Sequence, residues 1–267
     1  MNHTWKPLEW ALGNWTLSGL NRINSSFPYM AYLSDANQLG DLTHSIRPDI
    51  NPGAPLLNPL YSRSCPVGTG CQPYLNPSAF MRPAVGQLGN APRTLDGVRG
   101  PFQHYLDISV QKSFRIGEGR TKVQFRIDAL NAFNHPTFAV YPNNAGGADF
   151  MGAPSTAILS TAAYTTWAQA NGQPIYDATA GTPGNTLYNQ MVNMVNAQKG
   201  PSGALPANFF TVPLAANFYG TNPNSFDIRT LQGYKQYQLR NAYATNFGTL
   251  YNNSVPRYLQ FGVKLYF

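Results

Sequence analysis

The chain has 267 residues, a formal net charge of +7 and only 11% charged residues, against the roughly 25% that is usual for soluble globular domains. This composition argues against an ordinary cytoplasmic enzyme, and the 43% hydrophobic and 13% aromatic residues exclude a disordered chain. The Lys and Arg residues are interspersed with Asp and Glu rather than clustered, so the positive charge does not predict nucleic-acid binding.

The hydropathy of the chain excludes a helical membrane protein. No segment approaches the ~20 consecutive apolar residues of a membrane helix. The N-terminal sequence MNHTWKPLEWALGNW has neither the basic region nor the apolar region of a secretory signal. A membrane β-barrel remains open, because its strands alternate apolar and polar residues and give a weak hydropathy signal.

Four segments carry the alternation of period two that predicts β-strands, near residues 12–24, 105–114, 121–133 and 256–267. The second and third segments are separated by a short Gly-containing turn, which predicts a β-hairpin. Each of its arms is about ten residues long, the length that a tilted strand needs to cross a bilayer. The pattern predicts an all-β fold, a partial antiparallel transmembrane barrel of about four strands.

The hairpin has one apolar and one polar face, and the same faces fit either a soluble sandwich or a membrane barrel. In a barrel, Leu106, Ile108, Val110, Val123, Phe125 and Ile127 would form a lipid-facing band, broken only by Lys112, which could reach the interface near the turn. The predicted lumen-facing polar residues are Asp107, Gln111, Lys122, Gln124, Arg126 and Asp128.

The connections alternate between long and short, as in outer-membrane barrels with short periplasmic turns and long extracellular loops. The long loops are residues 25–104 and 134–255. Helical spacing predicts short helices at 185–200 and 155–167. The Tyr/Asn/Phe-rich segment 217–248 suggests strand extensions above the membrane.

The sequence contains none of the common catalytic or nucleotide-binding motifs, so we expect no enzyme activity and no cofactor. Asp107 and Asp128 could face each other across the hairpin, but nearby cations favour a charge ladder over acid/base catalysis. Cys65 and Cys71 lie in a Pro/Gly-rich segment and could form a small disulfide loop or stay reduced. Two cysteines and four scattered histidines do not predict a metal site.

Several segments, taken in their order and spacing, resemble the C-terminal barrel portion of TonB-dependent outer-membrane receptors, and most of all the Oar-like group. The resemblance implies import of a scarce solute such as a siderophore, glycan or peptide, with energy from the TonB complex. It is weak between residues 142 and 246. The segments are NPSAF (76–80), GNAPR (89–93), RGP (99–101), LDISVQKSFRI (106–116), VQFRIDALNAFNHPTF (123–138) and RYLQFGVKLYF (257–267).

The last residues are similar to the signal that the barrel-assembly machinery reads in outer-membrane proteins. The matching positions are Gln260, Gly262, Leu265 and the terminal aromatic Phe267. The alternative is an ordinary half-buried terminal strand.

The resemblance also predicts that the chain is a C-terminal fragment of a longer outer-membrane protein, since a signal peptide, a plug and most barrel strands have no counterpart here. Four strands cannot close a transporter barrel. We therefore expect the fragment to be inactive alone. Two alternatives stay open: a structural or adhesive outer-membrane barrel piece, and a secreted carbohydrate-binding β-module. A plug domain encoded in frame upstream would favour the receptor.

Overall fold

A computed structural model describes residues 11–33, 46–62, 72–116, 121–140, 147–149, 151–215, 218, 221–244, 247–252 and 254–267. The chain divides into two compact units. The first, called the sheet unit, comprises Met1–Phe27, Arg99–Ala139 and Tyr251–Phe267. The second, called the loop unit, comprises Pro28–Val98 and Val140–Leu250. Each unit is thus assembled from segments that are distant in the sequence.

The sheet unit contains a four-stranded antiparallel sheet, made of β1 (Trp15–Asn24), β5 (Gln103–Arg115), β6 (Lys122–Leu130) and β10 (Tyr258–Tyr266). Its spatial order is β1-β5-β6-β10. Each of the four segments with period-two alternation corresponds to one of these strands, and β5 extends beyond its predicted segment 105–114 at both ends. The sheet is open, with β1 and β10 at its edges, so the described residues do not close a barrel.

The register fixes which side chains share a face, because residues directly opposite each other across a strand pair point the same way. Leu17 lies opposite Val110, Val110 opposite Ile127, and Ile127 opposite Phe261. The remaining predicted band residues, Leu106, Ile108, Val123 and Phe125, have the same parity in their strands as Val110 and Ile127. The predicted apolar face is therefore continuous across all four strands.

Both connections that enter the loop unit leave the sheet at the same end. Asn24 at the end of β1 pairs with Gln103 at the start of β5, and Leu130 at the end of β6 pairs with Tyr258 at the start of β10. The opposite end carries the short β5–β6 connection, where Arg115 pairs with Lys122. We call it the hairpin end.

The loop unit contains short strands and three helices. The strands pair as β2 (Met30–Tyr32) with β8 (Gly147–Asp149), in parallel, and β3 (Asp49–Ile50) with β4 (Phe80–Met81), antiparallel. A further pair is formed by β7 (Phe138–Val140) and β9 (Leu250–Asn252). The helices are α1 (Thr161–Ala170), α2 (Pro183–Asn196) and α3 (Leu231–Ala242).

Local sequence explains where each helix begins. Ser160, Thr182 and Thr230 precede α1, α2 and α3, and each side-chain oxygen accepts a hydrogen bond from a backbone N–H of the first turn. In α2, a Cβ added to Gly184 would lie 1.8 Å from the carbonyl oxygen of Ile175, so only glycine fits this contact. The predicted helices at 155–167 and 185–200 correspond to α1 and α2, with shifted boundaries.

The prediction of strand extensions in 217–248 is wrong, because residues Leu231–Ala242 form helix α3. This helix buries Tyr234 and Tyr237, together with Leu239. Tyr and Phe are enriched in strands through packing rather than through backbone preference, so tertiary contacts override the composition here.

The long connections form a packed unit, whereas the sequence predicted only short helices and strand extensions within them. Aromatic side chains dominate its core, with Phe80, Tyr164, Trp167, Phe218, Tyr234 and Phe247 each at most 1% exposed. Asn, Gln and Tyr side chains satisfy the backbone of its irregular segments. Asn76 Nδ2 donates to Pro55 O at 2.8 Å, and Tyr234 Oη donates to Ala157 O at 2.8 Å. Buried irregular backbone needs such partners, which explains the polar, aromatic composition.

An ion pair next to Trp167 reinforces the core of the loop unit. Arg229 donates from Nε to Asp227 Oδ1 at 2.8 Å and from Nη2 to Asp227 Oδ2 at 3.0 Å, and its guanidinium lies 5.5 Å from the Trp167 ring centroid. The hydrogen bonds from Arg229 hold the pKa of Asp227 below its usual range. The arrangement links α1 to the segment before α3.

Candidate functional site

The polar face of the sheet contains all six residues predicted to face a lumen. Gln111 lies opposite Arg126, and Gln124 and Lys122 follow on the same face of β6 toward the hairpin end. Asp128 lies on that face opposite Ser109, and Asp107 is two residues before Ser109 on β5. The register thus brings the six residues onto one surface, while their orientation toward a lumen stays a prediction.

Polar side chains on this face bond to one another across strands. Gln124 Nε2 donates to Gln111 Oε1 at 2.9 Å, and Tyr266 Oη donates to Gln124 Oε1 at 3.1 Å. Arg126 Nε donates to Asp128 Oδ1 at 2.8 Å. The first two bonds are cross-strand pairs and the third lies within β6, and together they fix the side chains of the polar face in a defined arrangement.

The two carboxylates on this face each have a structural partner. Asp107 Oδ1 accepts a hydrogen bond from the backbone N–H of Asn131 at 2.9 Å, which holds the turn after β6. Asp128 is bound to Arg126. The partner of Asp128 supports its interpretation as part of a charge ladder, whereas Asp107 is bound to the backbone.

A groove of about 430 Å³ lies on the polar face, between the middle of the sheet and the end opposite the hairpin. Its volume falls in the range of roughly 300–1,000 Å³ that is typical of small-molecule sites. Two carboxylates, one guanidinium, two hydroxyls and an amide give it a mixed lining that can hydrogen-bond a polar solute. The lining is Ser18, Gly19, Leu20, Asp107, Ile108, Ser109, Arg126, Asp128, Leu130 and Gln260.

Three of the six predicted lumen residues line this groove, and the prediction did not include its β1 side. Asp107, Arg126 and Asp128 line it, whereas Gln111, Lys122 and Gln124 lie nearer the hairpin end. Ser18 and Leu20 belong to the polar face of β1, and Leu130 ends β6. The alternation of β1 is a sequence signal that could have identified Ser18. Leu20 and Leu130 are apolar, so no sequence signal places them in a polar groove.

The apolar face is widely exposed. Leu17, Phe261 and Val263 are 75%, 72% and 66% exposed. Monomeric soluble proteins rarely expose contiguous apolar patches larger than a few hundred Å². A face of this kind across four strands requires a covering, and lipid is the covering that a membrane barrel provides.

Lys112 is the only charged residue on the described part of this face, and it is 6% exposed. Its Nζ donates to Ala11 O at 3.0 Å and to Gly13 O at 2.5 Å, just before β1 begins. Its ammonium lies 4.8 Å from the Trp15 ring centroid and 5.4 Å from that of Phe114. The ammonium therefore extends toward the hairpin end of the sheet, where backbone carbonyls and two aromatic rings receive it.

Replacing Lys112 by Met should destabilise the sheet unit by about 1.5–3 kcal/mol, because the variant keeps the apolar stem and loses charged hydrogen bonds to two carbonyls. Lys264→Met on the exposed polar face of β10 is the matched control, and its effect should lie within ~0.5 kcal/mol. Urea-induced unfolding followed by tryptophan fluorescence measures both. Equal effects of the two substitutions would show that the Lys112 hydrogen bonds contribute nothing.

The residues of the predicted assembly signal lie on both faces of edge strand β10. Gln260 and Gly262 are opposite Asp128 and Arg126 on the polar face, and Leu265 is opposite Val123 on the apolar face. Phe267 follows the strand and is 96% exposed. Gln260 also lines the polar groove, a second role that the sequence did not indicate. Recognition of these residues by the assembly machinery stays a prediction.

Several other expectations concern absent or undescribed features. Cys65 and Cys71 lie outside the described residues, so the choice between a disulfide and two reduced thiols stays open. No helix in the described ranges has the length and hydropathy needed to cross a membrane. Within those same ranges, no three His, Cys, Asp or Glu residues are grouped so that they could hold a metal ion.

An antiparallel sheet with one continuous apolar face and one polar face is the surface pattern of a membrane-barrel wall. A family model described as "Outer membrane beta barrel domain" matches residues 2–174. This match covers more than half of the chain, including β1, β5 and β6, and the chain belongs to that family. The outer membrane is thus the indicated location. Neither a curated protein nor a solved structure gave a significant match.

Proposed function

We propose that this chain forms part of a TonB-dependent outer-membrane receptor that imports a scarce solute such as a siderophore, glycan or peptide. The observation that carries the proposal is the two-faced four-stranded sheet, whose apolar face suits lipid and whose polar face holds a groove of about 430 Å³. The family match supports an outer-membrane barrel. The receptor class itself rests on the sequence resemblance of segments 76–138 and 257–267.

The open sheet edges support participation in a larger barrel. Outer-membrane barrels have eight or more strands, and unpaired backbone groups at an edge are costly in lipid. In the described sheet, β1 and β10 have no strand partner on their outer sides. We propose that further strands pair with both edges, and that the four strands alone do not insert stably.

The groove lining supports a transport role more than a chemical one. Its carboxylates are bound to Asn131 and Arg126, and its amide and hydroxyl groups are suited to transient hydrogen bonds with a polar solute. We propose no catalytic role for Asp107 or Asp128. The partners implied are outer-membrane lipid, the barrel-assembly machinery and the TonB complex, which would supply the energy for uptake.

Uptake measurements in the source organism test this function. Three strains are compared: wild type, a deletion of the gene, and a TonB-inactivated strain. Mass spectrometry of the spent medium records which solutes each strain removes. We expect at least one scarce solute to be depleted by the wild type alone. Deletion of the gene that leaves the solute profile unchanged would contradict a receptor function. A profile that changes on deletion but not on TonB inactivation would contradict dependence on TonB.

The variant Arg126→Gln links the uptake to the groove, because it removes the guanidinium bound to Asp128 while leaving the apolar face intact. Lys264→Gln, on the same face of β10 but outside the groove lining, is the control. Reduced uptake in the first variant alone is the expected result. Equal uptake in both variants would mean that the groove does not take part in transport.

A structural or adhesive role in the outer membrane is the second candidate, and the loop unit is the observation that favours it. Two long connections form a unit with its own aromatic core, which is more structure than two loops need in order to link strands. An adhesive protein would show surface attachment that depends on the gene and is insensitive to TonB inactivation. The family match gives no support to a secreted carbohydrate-binding module.

A further inference from the structure

Two histidines lie next to each other in the sheet unit, at the end of the sheet opposite the hairpin end. His104 is the second residue of β5, and His135 belongs to the turn after β6. Their ring centroids are 5.9 Å apart, with 66° between the ring planes. His104 is half-buried and His135 is exposed. We call them the histidine pair, and neither of them lines the polar groove.

A hydrogen bond from β1 sets the tautomer of His104. Its Nε2 lies 2.7 Å from Asn21 Oδ1, and an amide oxygen can only accept, so Nε2 carries the proton. The neutral ring then keeps its lone pair on Nδ1. Histidines that bind metal ions usually donate their other ring N–H to an oxygen in this way, which fixes the ring and makes the ligand nitrogen more basic.

The remaining ring nitrogens of the histidine pair are available to a ligand. Among the described residues, neither His104 Nδ1 nor a ring nitrogen of His135 has a hydrogen-bond partner. Neutral imidazole nitrogens are the commonest protein ligands of transition metals, including Zn²⁺. The pair therefore offers two nitrogen ligands of the type that Zn²⁺ prefers.

Hydrogen bonds also hold the backbone around the two histidines. Asn131 is 5% exposed, and its Oδ1 accepts from the backbone N–H of His135 at 2.9 Å. The hydroxyls of Tyr105, which follows His104, and Thr137, which lies just beyond His135, are 3.0 Å apart. The turn is thus tied to β5 on both sides of the contact, and adjustment of the pair to an ion requires only side-chain rotation.

The spacing of the two rings is close to that of imidazoles that share a metal ion. Zn²⁺ lies about 2.0–2.1 Å from each ligand nitrogen, so two rings at a tetrahedral angle have centroids roughly 5–5.5 Å apart. The observed 5.9 Å is wider by about half an ångström. Because His135 is exposed, rotation of its side chain can close this difference.

We propose that the histidine pair binds a divalent transition-metal ion of the Zn²⁺ type. His104 Nδ1 and one ring nitrogen of His135 are the protein ligands, water completes the coordination, and Asn21 positions His104. The inference goes beyond the proposed transport function, because the pair lies outside the groove and needs neither TonB nor a solute.

A structural role alone would explain the pair differently. Histidine has an apolar body and a polar tip, which suits the edge of an apolar face, and the bond to Asn21 would then only hold His104 against β1. That role accounts for the packing of the two rings. It predicts no response of either ring to Zn²⁺, so metal binding separates the two explanations.

Titration of the complete protein with Zn²⁺ in detergent micelles tests the proposal. A background variant removes every other histidine and both cysteines, so that the pair supplies the only imidazoles and no thiol competes. Isothermal titration calorimetry should show one Zn²⁺ per chain with a Kd below ~100 µM. The substitutions of the background variant are His3→Ala, His44→Ala, Cys65→Ser and Cys71→Ser.

NMR of the same protein with ¹⁵N-labelled histidine identifies the ligand atoms. Free His104 should show the Nε2–H tautomer, and Zn²⁺ should shift its Nδ1 and one nitrogen of His135. The proposal would be overturned by a lack of saturable binding up to ~1 mM Zn²⁺, or by shifts in only one of the two rings.

Two substitutions in the background variant then separate the ligand from the positioning residue. His135→Ala should weaken Zn²⁺ binding by about tenfold or more, and Asn21→Leu by roughly tenfold with a change in the tautomer of His104. Thr16→Val, at another exposed polar residue of β1, is the control and should leave the affinity unchanged. Near-UV circular dichroism verifies that each variant is folded.

The variants also define what would contradict the assignment. Equal affinity of His135→Ala and Thr16→Val would show that Zn²⁺ binds elsewhere, and the site would be wrong. Equal affinity of Asn21→Leu and Thr16→Val, with the tautomer of His104 unchanged, would show that Asn21 does not position the ligand.

Discussion

An arginine at position 127 is expected to destabilise the assembled barrel by ~2–4 kcal/mol, the cost of a cation on the lipid face at mid-membrane. Ile127 lies near the middle of β6, between Val110 of β5 and Phe261 of β10, and is 43% exposed. Its neighbours across both strand pairs are apolar, so an arginine would have no partner there. Its side chain would have to reach the interface past several other residues.

The same substitution nearer the hairpin end should cost less. Phe125 is two residues closer to that end and lies directly opposite Lys112, whose ammonium already reaches carbonyls there. An arginine at 125 can extend in the same direction, so Phe125→Arg should cost about half as much as Ile127→Arg, since the penalty falls toward the interface. The ratio of the two costs therefore reports depth in the membrane.

Ser109→Arg is the matched control, because Ser109 is at nearly the same depth but on the polar face opposite Asp128. An arginine there meets a carboxylate, and the effect should stay within ~0.5 kcal/mol. The free energies come from urea titrations of the barrel containing this chain, reconstituted in phospholipid vesicles. If Ile127→Arg and Ser109→Arg have equal effects, the apolar face does not contact lipid and the membrane interpretation fails.

The four strands could be predicted because their signal is local. Leu106, Ile108 and Val110 alternate with polar residues within a few positions, and a strand needs no distant information to place them on one face. The register of β5 against β6 follows from the short connection between them. The neighbours β1 and β10 attach to opposite edges of that hairpin, and a sequence alone does not specify this order.

The groove was only partly predictable, because some of its residues come together only through the order of the strands. Asp107, Arg126 and Asp128 belong to the hairpin and were recognised as one polar surface. Ser18 and Gln260 complete the groove through pairing with residues about 90 and 130 positions away. Contacts at such separations depend on strand order, so composition and periodicity could not identify them.

The structure of the loop unit was less predictable from the sequence than that of the sheet. Tyr29 accepts a backbone hydrogen bond from Leu95 on its carbonyl oxygen and one from Val140 on its hydroxyl, at 2.7 and 2.9 Å. These bonds join segments that the sequence presents as separate Pro/Gly-rich loops. In α3 the buried Tyr234 and Gln238 are four residues apart, which is a helical spacing. The Tyr-rich composition of the segment predicts strand instead, because it hides this spacing among many other tyrosines.

Truncating Trp167 to Ala is expected to destabilise the loop unit by ~3–5 kcal/mol, as for other large aromatic side chains removed from a core. Trp167 is 1% exposed, its Nε1 donates to Phe226 O at 2.6 Å, and its ring contacts Tyr164 and the guanidinium of Arg229. The substitution therefore removes packing, a hydrogen bond and a cation–π contact together.

Gln169→Ala is the matched control, because Gln169 is exposed on the same helix α1 and its loss should change stability by less than ~0.5 kcal/mol. Hydrogen–deuterium exchange of the complete chain gives a separate readout for each unit. In Trp167→Ala, exchange should accelerate in α1, α2 and α3, whereas the amides of β5 and β6 should keep their protection, since each unit has its own set of contacts. Simultaneous loss of protection in β5 and β6 would show that the two units unfold as one. Unchanged exchange in α1 and α3 would show that the aromatic cluster around Trp167 does not stabilise the loop unit.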